Sequence, residues 1–325
     1  MRLGLLLTPQ GVEGAPPRGI VEECAALTRA ARDAGFSTVL VSHHVLSAPY
    51  PMLQPMPLLA RLAGEAGEMF LGTGVLLLTL LNPVDVAEHV VTLDAVTGGR
   101  VILGVGLGYR PEERAAFGIV HRPARVMLDK LRVVRRLLDG EVVSAEGPGY
   151  RLDSARLALR PLVRPPIWMA ANTDVGVRRA ARNGDAWLVN PHARLDDVAR
   201  QLDLLAQVRG GRPYRVPVVR EVCLAPTDAE ARTLAERFLG PKYATYVSWG
   251  QSEAMPPGDT LDRGFDELAH DRFIVGGPET AARAVADLRE RCGATDLIAR
   301  VTWPGLPLID AMRTVHLLAE ALGAP

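Results

Sequence analysis

LGTGVLLLTLLNPVDVAEHVVTLDAVTGGRVILGVGLGYRPEERAAFG, residues 71–118, reads as one strand–helix–strand unit. The run at 69–78 is apolar without alternation, the pattern of a strand covered on both faces rather than on one. Asn82 then offers a capping oxygen, Pro83 suits a first helical position, and Gly98-Gly99 ends the helix after Thr97. Residues 101–106 form a second buried-type strand. Two such strands joined through a helix predict a parallel pair, because a parallel connection must cross over the sheet.

The same rhythm extends in both directions. Strand-like runs occur at 3–7, 38–42, 167–170, 186–189, 216–223 and 296–301, giving eight with the two above. Helical patterns fall at 20–34, 54–64, 82–97, 122–138, 174–182, 195–209, 229–238, 280–291 and 308–322. Residues 141–163 are a polar excursion with a hairpin, ending in the extended Pro165-Pro166. Eight βα units predict a (β/α)8 TIM barrel, with residues 1–325 as one domain.

One stretch breaks the rhythm. Residues 240–271 carry Pro, Gly, Tyr243, Tyr246, Trp249 and Met255 without sustained periodicity. A loop of that length in a compact domain is unusual unless it covers a site, so it is expected to be a mobile lid that could be shortened without unfolding the barrel.

Composition narrows the class of function. Thirty-seven basic residues balance thirty-seven acidic ones, so no broad positive field exists to collect nucleic acid or an anionic membrane. No apolar run reaches the roughly 20 residues that span a bilayer. The start, with one Arg and a short apolar run halted at Thr8-Pro9-Gln10, is too short for a signal peptide, and a cytoplasmic location is expected. Cys24, Cys223 and Cys292 are odd in number and far apart, which favours buried thiols over a disulfide framework or a zinc site.

In such a barrel the chemistry sits where strands end and βα loops begin. Four places qualify. Ser42-His43-His44 comes after the second strand; imidazole titrates near neutrality, so one of the histidines is a candidate acid/base or cofactor contact, against a structural alternative of about equal weight. Side-chain alternation allows both to face the barrel mouth only if the strand has already ended. No third ligand at a familiar spacing supports a metal.

Gly104-Val105-Gly106-Leu107-Gly108-Tyr109 comes at the end of the fourth strand. Its glycines would let a flat ring or a phosphate approach the backbone, or serve tight turning alone; Arg110-Pro111-Glu112-Glu113 does not continue into the helix and ribose-binding acid of a dinucleotide fingerprint. Ala170-Ala171-Asn172-Thr173-Asp174 turns the fifth strand into a helix whose free amides suit a phosphate, beside the plainer possibility of an N-cap. Gly276-Gly277-Pro278-Glu279 is a cap motif whose acid disfavours an anion. No GxSxG, HExxH or P-loop occurs.

Together these segments resemble the bacterial-luciferase-like flavin oxidoreductases. The likeness is densest at 71–118, with a Gly-rich third strand, an Asn-Pro helix start, Leu-Asp, Gly-Gly-Arg, and GxGxG plus an aromatic. PPIWMAANTDVGVRRAARNGDAWLV at 165–189 and VSHH at 41–44 add two further matches in the same order. The resemblance implies that a flavin or deazaflavin ring lies in the barrel mouth. Asn172, Thr173 and Gly176 then match phosphate-side positions, with Ala171 beside them, and Gly106, Gly108 and Tyr109 match the loop next to the cofactor. It also implies a non-proline cis bulge at Gly74-Val75. His43 matches a histidine used in the luciferases' oxygen chemistry, and His44 one that faces deazaflavin in the F420 members.

Departures from the family pattern carry weight too. Gly106 and Leu107 stand where luciferases have a reactive Cys and a phosphate-binding Arg, which argues against a light reaction and leaves no obvious cation for the phosphate. His43-His44 replaces the Asp-His of many F420 members, tilting the cofactor toward FMN. The expectation is a two-component monooxygenase: reduced FMN from a separate flavin reductase, oxygen, a small organic substrate, and His43 or His44 handling protons. An F420-dependent dehydrogenase or reductase is the enzymatic alternative, and a non-catalytic flavin-binding barrel the alternative of another class. The family makes a homodimer the expected assembly.

Overall fold

A computed structural model describes residues 1–256 and 258–323. Eight parallel strands close into a barrel: β1 (Arg2–Leu7), β2 (Thr38–Val41), β3 (Phe70–Thr73), β5 (Val101–Gly106), β8 (Ile167–Ala171), β9 (Ala186–Val189), β10 (Pro217–Leu224) and β12 (Asp296–Arg300). Pairing of Val218 with Val189 joins β10 to β9, and pairing of β1 with β12 completes the ring. Around it lie α1 (Pro17–Asp33), α2 (Pro55–Ala66), α3 (Pro83–Thr97), α5 (Pro123–Leu138), α6 (Asp174–Asn183), α7 (Leu195–Arg209), α8 (Asp228–Ser248), α10 (Pro278–Cys292) and α11 (Leu308–Ala321). The remaining elements are β4 (Leu76–Leu77), α4 (Pro111–Ala116), the antiparallel hairpin β6 (Val143–Gly147) and β7 (Tyr150–Ala155), α9 (Phe265–Ala269) and β11 (Phe273–Gly276).

Alternation along each strand divides the core in two. Leu6, Leu40, Ile102, Trp168, Val219 and Ile298 point into the barrel and fill it, while Leu5, Leu7, Val39 and Val41 point outward into the layer shared with the helices. Both faces of every strand are therefore buried, which is why the runs read as apolar without period. At the N-terminal end of the barrel, buried Asp296 accepts from Arg215 at 2.6 and 2.9 Å and pairs with Arg2 at 3.0 Å. Asn82 caps α3 by accepting from the Val84 amide at 2.9 Å, as its spacing predicts.

The fold corrects the sequence expectation at several places. The run 69–78 is not one strand: the Gly74-Val75 peptide is cis, as the family resemblance implies, and separates β3 from β4. β11 was missed, a short strand that pairs with the end of β10 beyond the eight. Residues 240–248 are not a loop but the second half of α8, which runs through Pro241. Proline normally disrupts a helix interior, yet Leu239, Lys242, Tyr243 and Tyr246 are all buried here, and tertiary burial outweighs the local penalty. Met255, Leu261 and Leu268, further along the expected lid, are buried against Cys223 and Trp303. Pro257 of that stretch lies outside the described residues. Residues 111–116, expected to be irregular, form the short helix α4. Cys24, Cys223 and Cys292 are free and buried.

Candidate active site

At the C-terminal ends of the strands the barrel opens into a cavity of about 310 Å³. Leu6, Leu188, Val219 and Val75 make its apolar floor. Every site residue expected from the sequence lies on its wall. His43, His44, Gly74 and Val75 stand on one side, Gly106, Gly108 and Tyr109 lie at and beyond the end of β5, and Ala171, Asn172, Thr173 and Gly176 lie at and beyond the end of β8.

Both histidines reach the cavity because β2 ends at Val41, before them. Their surroundings differ. His43 is 4% exposed, and its Nδ1 accepts a hydrogen bond from the Leu77 amide at 3.1 Å. An accepting Nδ1 leaves the proton on Nε2, so His43 is a neutral donor. Burial, reinforced by the neighbouring His44, pushes its pKa down to about 4.

His44 instead lies 2.9 Å from Glu113, Nδ1 to Oε1. The same carboxylate oxygen accepts from the Val45 amide at 3.0 Å, and Arg110 stands 3.7 Å away. Burial alone would raise the Glu113 carboxyl; the His44 and Val45 hydrogen bonds and the Arg110 charge outweigh it, and the net shift is downward. Glu113 is therefore a carboxylate, and His44 Nδ1 donates to it, which leaves Nε2 as the ring's other nitrogen. Nothing in the sequence marked Glu113 as a partner, since it lies on α4, whose position over the cavity is a tertiary matter. Arg110 also stacks 4.6 Å over Trp249, fixing the aromatic end of α8 to this wall.

Across the cavity, Thr173 is the N-cap of α6, accepting from the Gly176 amide at 3.3 Å. Asp174, a few ångströms along, does not line the cavity: Arg200 holds it through bonds of 2.8 and 2.9 Å, and Gln201 at 3.1 Å. Thr173 and Gly176, at the start of α6, border the cavity, and the acid of that turn is taken up by Arg200. Arg179, one turn further along α6, also lines the wall, and no acidic side chain pairs with it among the described residues. This corrects the expectation that the chain lacks a cation at this place. The Gly276-Gly277 start of α10 is used otherwise, because Asp228 accepts from the Gly277 amide at 2.6 Å.

Comparison with known proteins agrees with the barrel fold. The family model for luciferase-like monooxygenases matches residues 1–296. The chain belongs to that family. It is 31% identical over 292 residues to an F420-dependent glucose-6-phosphate dehydrogenase of Amycolatopsis mediterranei, covering 82% of this chain and 84% of the relative. The monooxygenase RslO1 of Streptomyces bottropensis superposes with a TM-score of 0.83 at 25% identity, over 99% of this chain and 98% of the other. The oxygenating constituent of 3,6-diketocamphane monooxygenase from Pseudomonas putida, solved in complex with FMN, gives the same TM-score at 20% identity over 100% and 98%, a likeness of fold. Membership makes this luciferase-like protein an oxidoreductase.

The luciferase-like cavity has features that fit a flavin. Among the described residues Ser42 Oγ and Tyr109 OH are buried without a hydrogen-bond partner, and both residues line the cavity, so polar groups stand ready for a ring with exocyclic oxygens and nitrogens. The glycines are less diagnostic. A Cβ on Gly104 would stand 1.9 Å from the Thr73 carbonyl, and one on Gly106 2.6 Å from Val75 Cγ2. Each therefore has a reason internal to the protein, a close approach of neighbouring atoms rather than the tight turning weighed from the sequence. Among the described residues no three His, Cys, Asp or Glu side chains converge as a metal site.

A second buried cluster borders the cavity and was also missed. Glu221, fully buried on β10, accepts from Lys242 Nζ at 3.0 Å, Tyr243 OH at 3.2 Å, Trp303 Nε1 at 2.7 Å and Arg300 Nε at 3.0 Å. Burial would raise its carboxyl, but Arg300, Lys242 and these bonds hold it down to about 2. Because Tyr243 must donate to this carboxylate, His192 Nδ1, 3.1 Å from the same hydroxyl, must donate in turn. His192 lines the cavity as a neutral ring whose Nε2 is an acceptor, the opposite tautomer to His43. The signal in the sequence was Arg220-Glu221, two charges inside an otherwise apolar strand.

Proposed function

We propose that this cavity binds reduced FMN and that the protein is the oxygenating component of a two-component monooxygenase acting on a small organic substrate. The observation that carries this is the arrangement across one apolar cavity: the His44–Glu113 pair on one wall, and the start of α6 with Arg179 on the other. The first-turn amides of α6 and Arg179 would hold the phosphate, while Ser42 and Tyr109 would meet the polar edge of the ring. Bound in that place, a reduced flavin would supply the electrons for reaction with oxygen.

The chain's own residues do the rest. His43 donates from Nε2 in its neutral form, and His44, oriented by Glu113, exchanges a proton through Nε2. Tyr246 and Gln251, both buried, line the cavity and would help to exclude water from it. A separate flavin reductase would deliver the reduced cofactor, and the protein would work as a cytoplasmic homodimer, a setting compatible with three free, buried cysteines. Among the described residues no helix is long and apolar enough to cross a membrane.

Hydride transfer with F420 is the second assignment, favoured by the F420-dependent relative from Amycolatopsis mediterranei. Titration of the purified protein with FMN and with F420, and then oxygen uptake with reduced FMN, separates the two. Binding of FMN with oxygen uptake supports the monooxygenase, F420 turnover the dehydrogenase, and tight binding without turnover a non-catalytic flavin carrier. Arg179→Met should weaken FMN by about 1–3 kcal/mol, and Thr173→Asp by a similar amount, through loss or repulsion of a charge-assisted contact. Affinity unchanged in both variants would overturn the phosphate placement.

A further inference from the structure

A second cavity of about 200 Å³ lies beside the first. Tyr246 lines both and forms part of the wall between them. Tyr50, Phe238 and Trp249 give the second cavity an aromatic lining, and among the described residues Lys242 is the one on its wall with a side chain that carries charge. Flat aromatic faces on several sides suit a planar, largely apolar guest.

Lys242 sits in an unbalanced cluster. Around the single carboxylate of Glu221 stand two cations, Arg300 and Lys242, all three buried. Arg300 and Trp303 already engage both oxygens of Glu221, so the carboxylate is satisfied without Lys242. An ammonium has three donors, and among the described residues Glu221 is its only hydrogen-bond partner. A buried charge without a counter-charge is costly, and the cluster carries one positive charge too many whenever Lys242 is protonated. Burial first, and then the Arg300 charge, press the Lys242 ammonium down to about 7, as such an imbalance requires.

We propose that the second cavity is a substrate subsite for a planar, aromatic molecule bearing an anionic oxygen, a carboxylate or an ionised phenol, and that this oxygen pairs with Lys242. The missing negative charge comes from the ligand, which spans the Tyr246 wall toward the first cavity. This rests on the oxidoreductase assignment above only in calling the guest a substrate. Binding itself needs no flavin.

The test compares 2-naphthoate with 2-naphthamide, the same ring system with and without the charge, by isothermal titration calorimetry on the purified full-length protein. The wild type should bind the carboxylate at least tenfold more tightly than the amide. Lys242→Met should bring the two within about threefold, with the amide little changed, and Lys242→Arg should keep the preference. Equal affinity of the wild type for both probes, or an undiminished preference in Lys242→Met, overturns the proposal, and the wild-type comparison decides even if a variant fails to fold. FMN and F420 titrations of the same preparation keep the two assignments apart. A protein that binds FMN but shows no charge preference loses this subsite alone, and one that prefers naphthoate but binds neither cofactor loses the flavin assignment alone.

Discussion

His44, on the wall of the barrel-mouth cavity, and Glu113, sixty-nine residues away in the chain and buried against it, meet at 2.9 Å. The carboxylate fixes which imidazole nitrogen carries a proton, and so decides through which atom His44 can act. Glu113 is fully buried, and its Oε2 has no hydrogen-bond partner among the described residues, so its position is set by His44, the Val45 amide and Arg110 rather than by solvent.

From this pairing, Glu113→Gln should lower turnover at least tenfold with little loss of flavin affinity, because the amide no longer enforces the same ring tautomer. His44→Ala should cost ~10²–10⁴-fold, the usual worth of a positioned acid or base. Steady-state rates with flavin binding measured alongside check both. Full activity in either variant would remove the proton-handling role from His44.

His43 carries a pH dependence of stability. In the unfolded chain its imidazole takes up a proton near its ordinary value of 6.5, whereas in the folded protein it does so only near 4, because burial first and His44 second oppose the charge. The unfolded state therefore binds more protons between these values, and acid favours unfolding. The contribution, up to about 3 kcal/mol, is intact above pH 6.5 and is lost as the pH falls from 6.5 to 4. Urea unfolding at pH 7 and pH 4.5 should show a smaller difference in His43→Gln than in the wild type. Equal differences would mean that His43 is charged in the folded state.

Tyr243 tests whether the cover over the barrel is part of the core. It is 1% exposed, packs 4.8 Å from Phe273 between ring centroids, and bonds both Glu221 and His192. Tyr243→Ala should cost about 3–5 kcal/mol, in the range for large aromatic truncations, and Tyr243→Phe about 1–3 kcal/mol from the stranded partners. Replacement of residues 240–271 by a short Gly/Ser linker should then strip the buried Met255, Leu261 and Leu268 from Cys223 and Trp303 and lower the melting temperature, contrary to the expectation drawn from the sequence. A shortened protein that melts with the wild type would restore the dispensable lid.

Sequence alone determined the barrel. Each of its eight strands is buried on both faces and the helices that connect them, the short α4 and α9 apart, are announced by local signals such as Asn82-Pro83 and Gly98-Gly99, so period and capping, which are properties of neighbouring residues, were enough. It also placed His43, His44, Tyr109 and Thr173 at the cavity, because a barrel brings all its strand ends to one rim. Tertiary structure alone decided what those residues meet. Glu113, Arg179 and Lys242 look like ordinary helix charges until packing sets Arg179 and Lys242 on cavity walls and buries Glu113 against His44, and the tautomer of His43, His44 and His192 depends on neighbours reached across the fold. The same holds for residues 240–248, where Gly240-Pro241 signals a break and only the burial of Lys242, Tyr243 and Tyr246 against the barrel carries the helix through. Local propensity is worth a fraction of a kcal/mol per ordinary residue and ~3 kcal/mol for a proline, and burying two aromatic rings exceeds both.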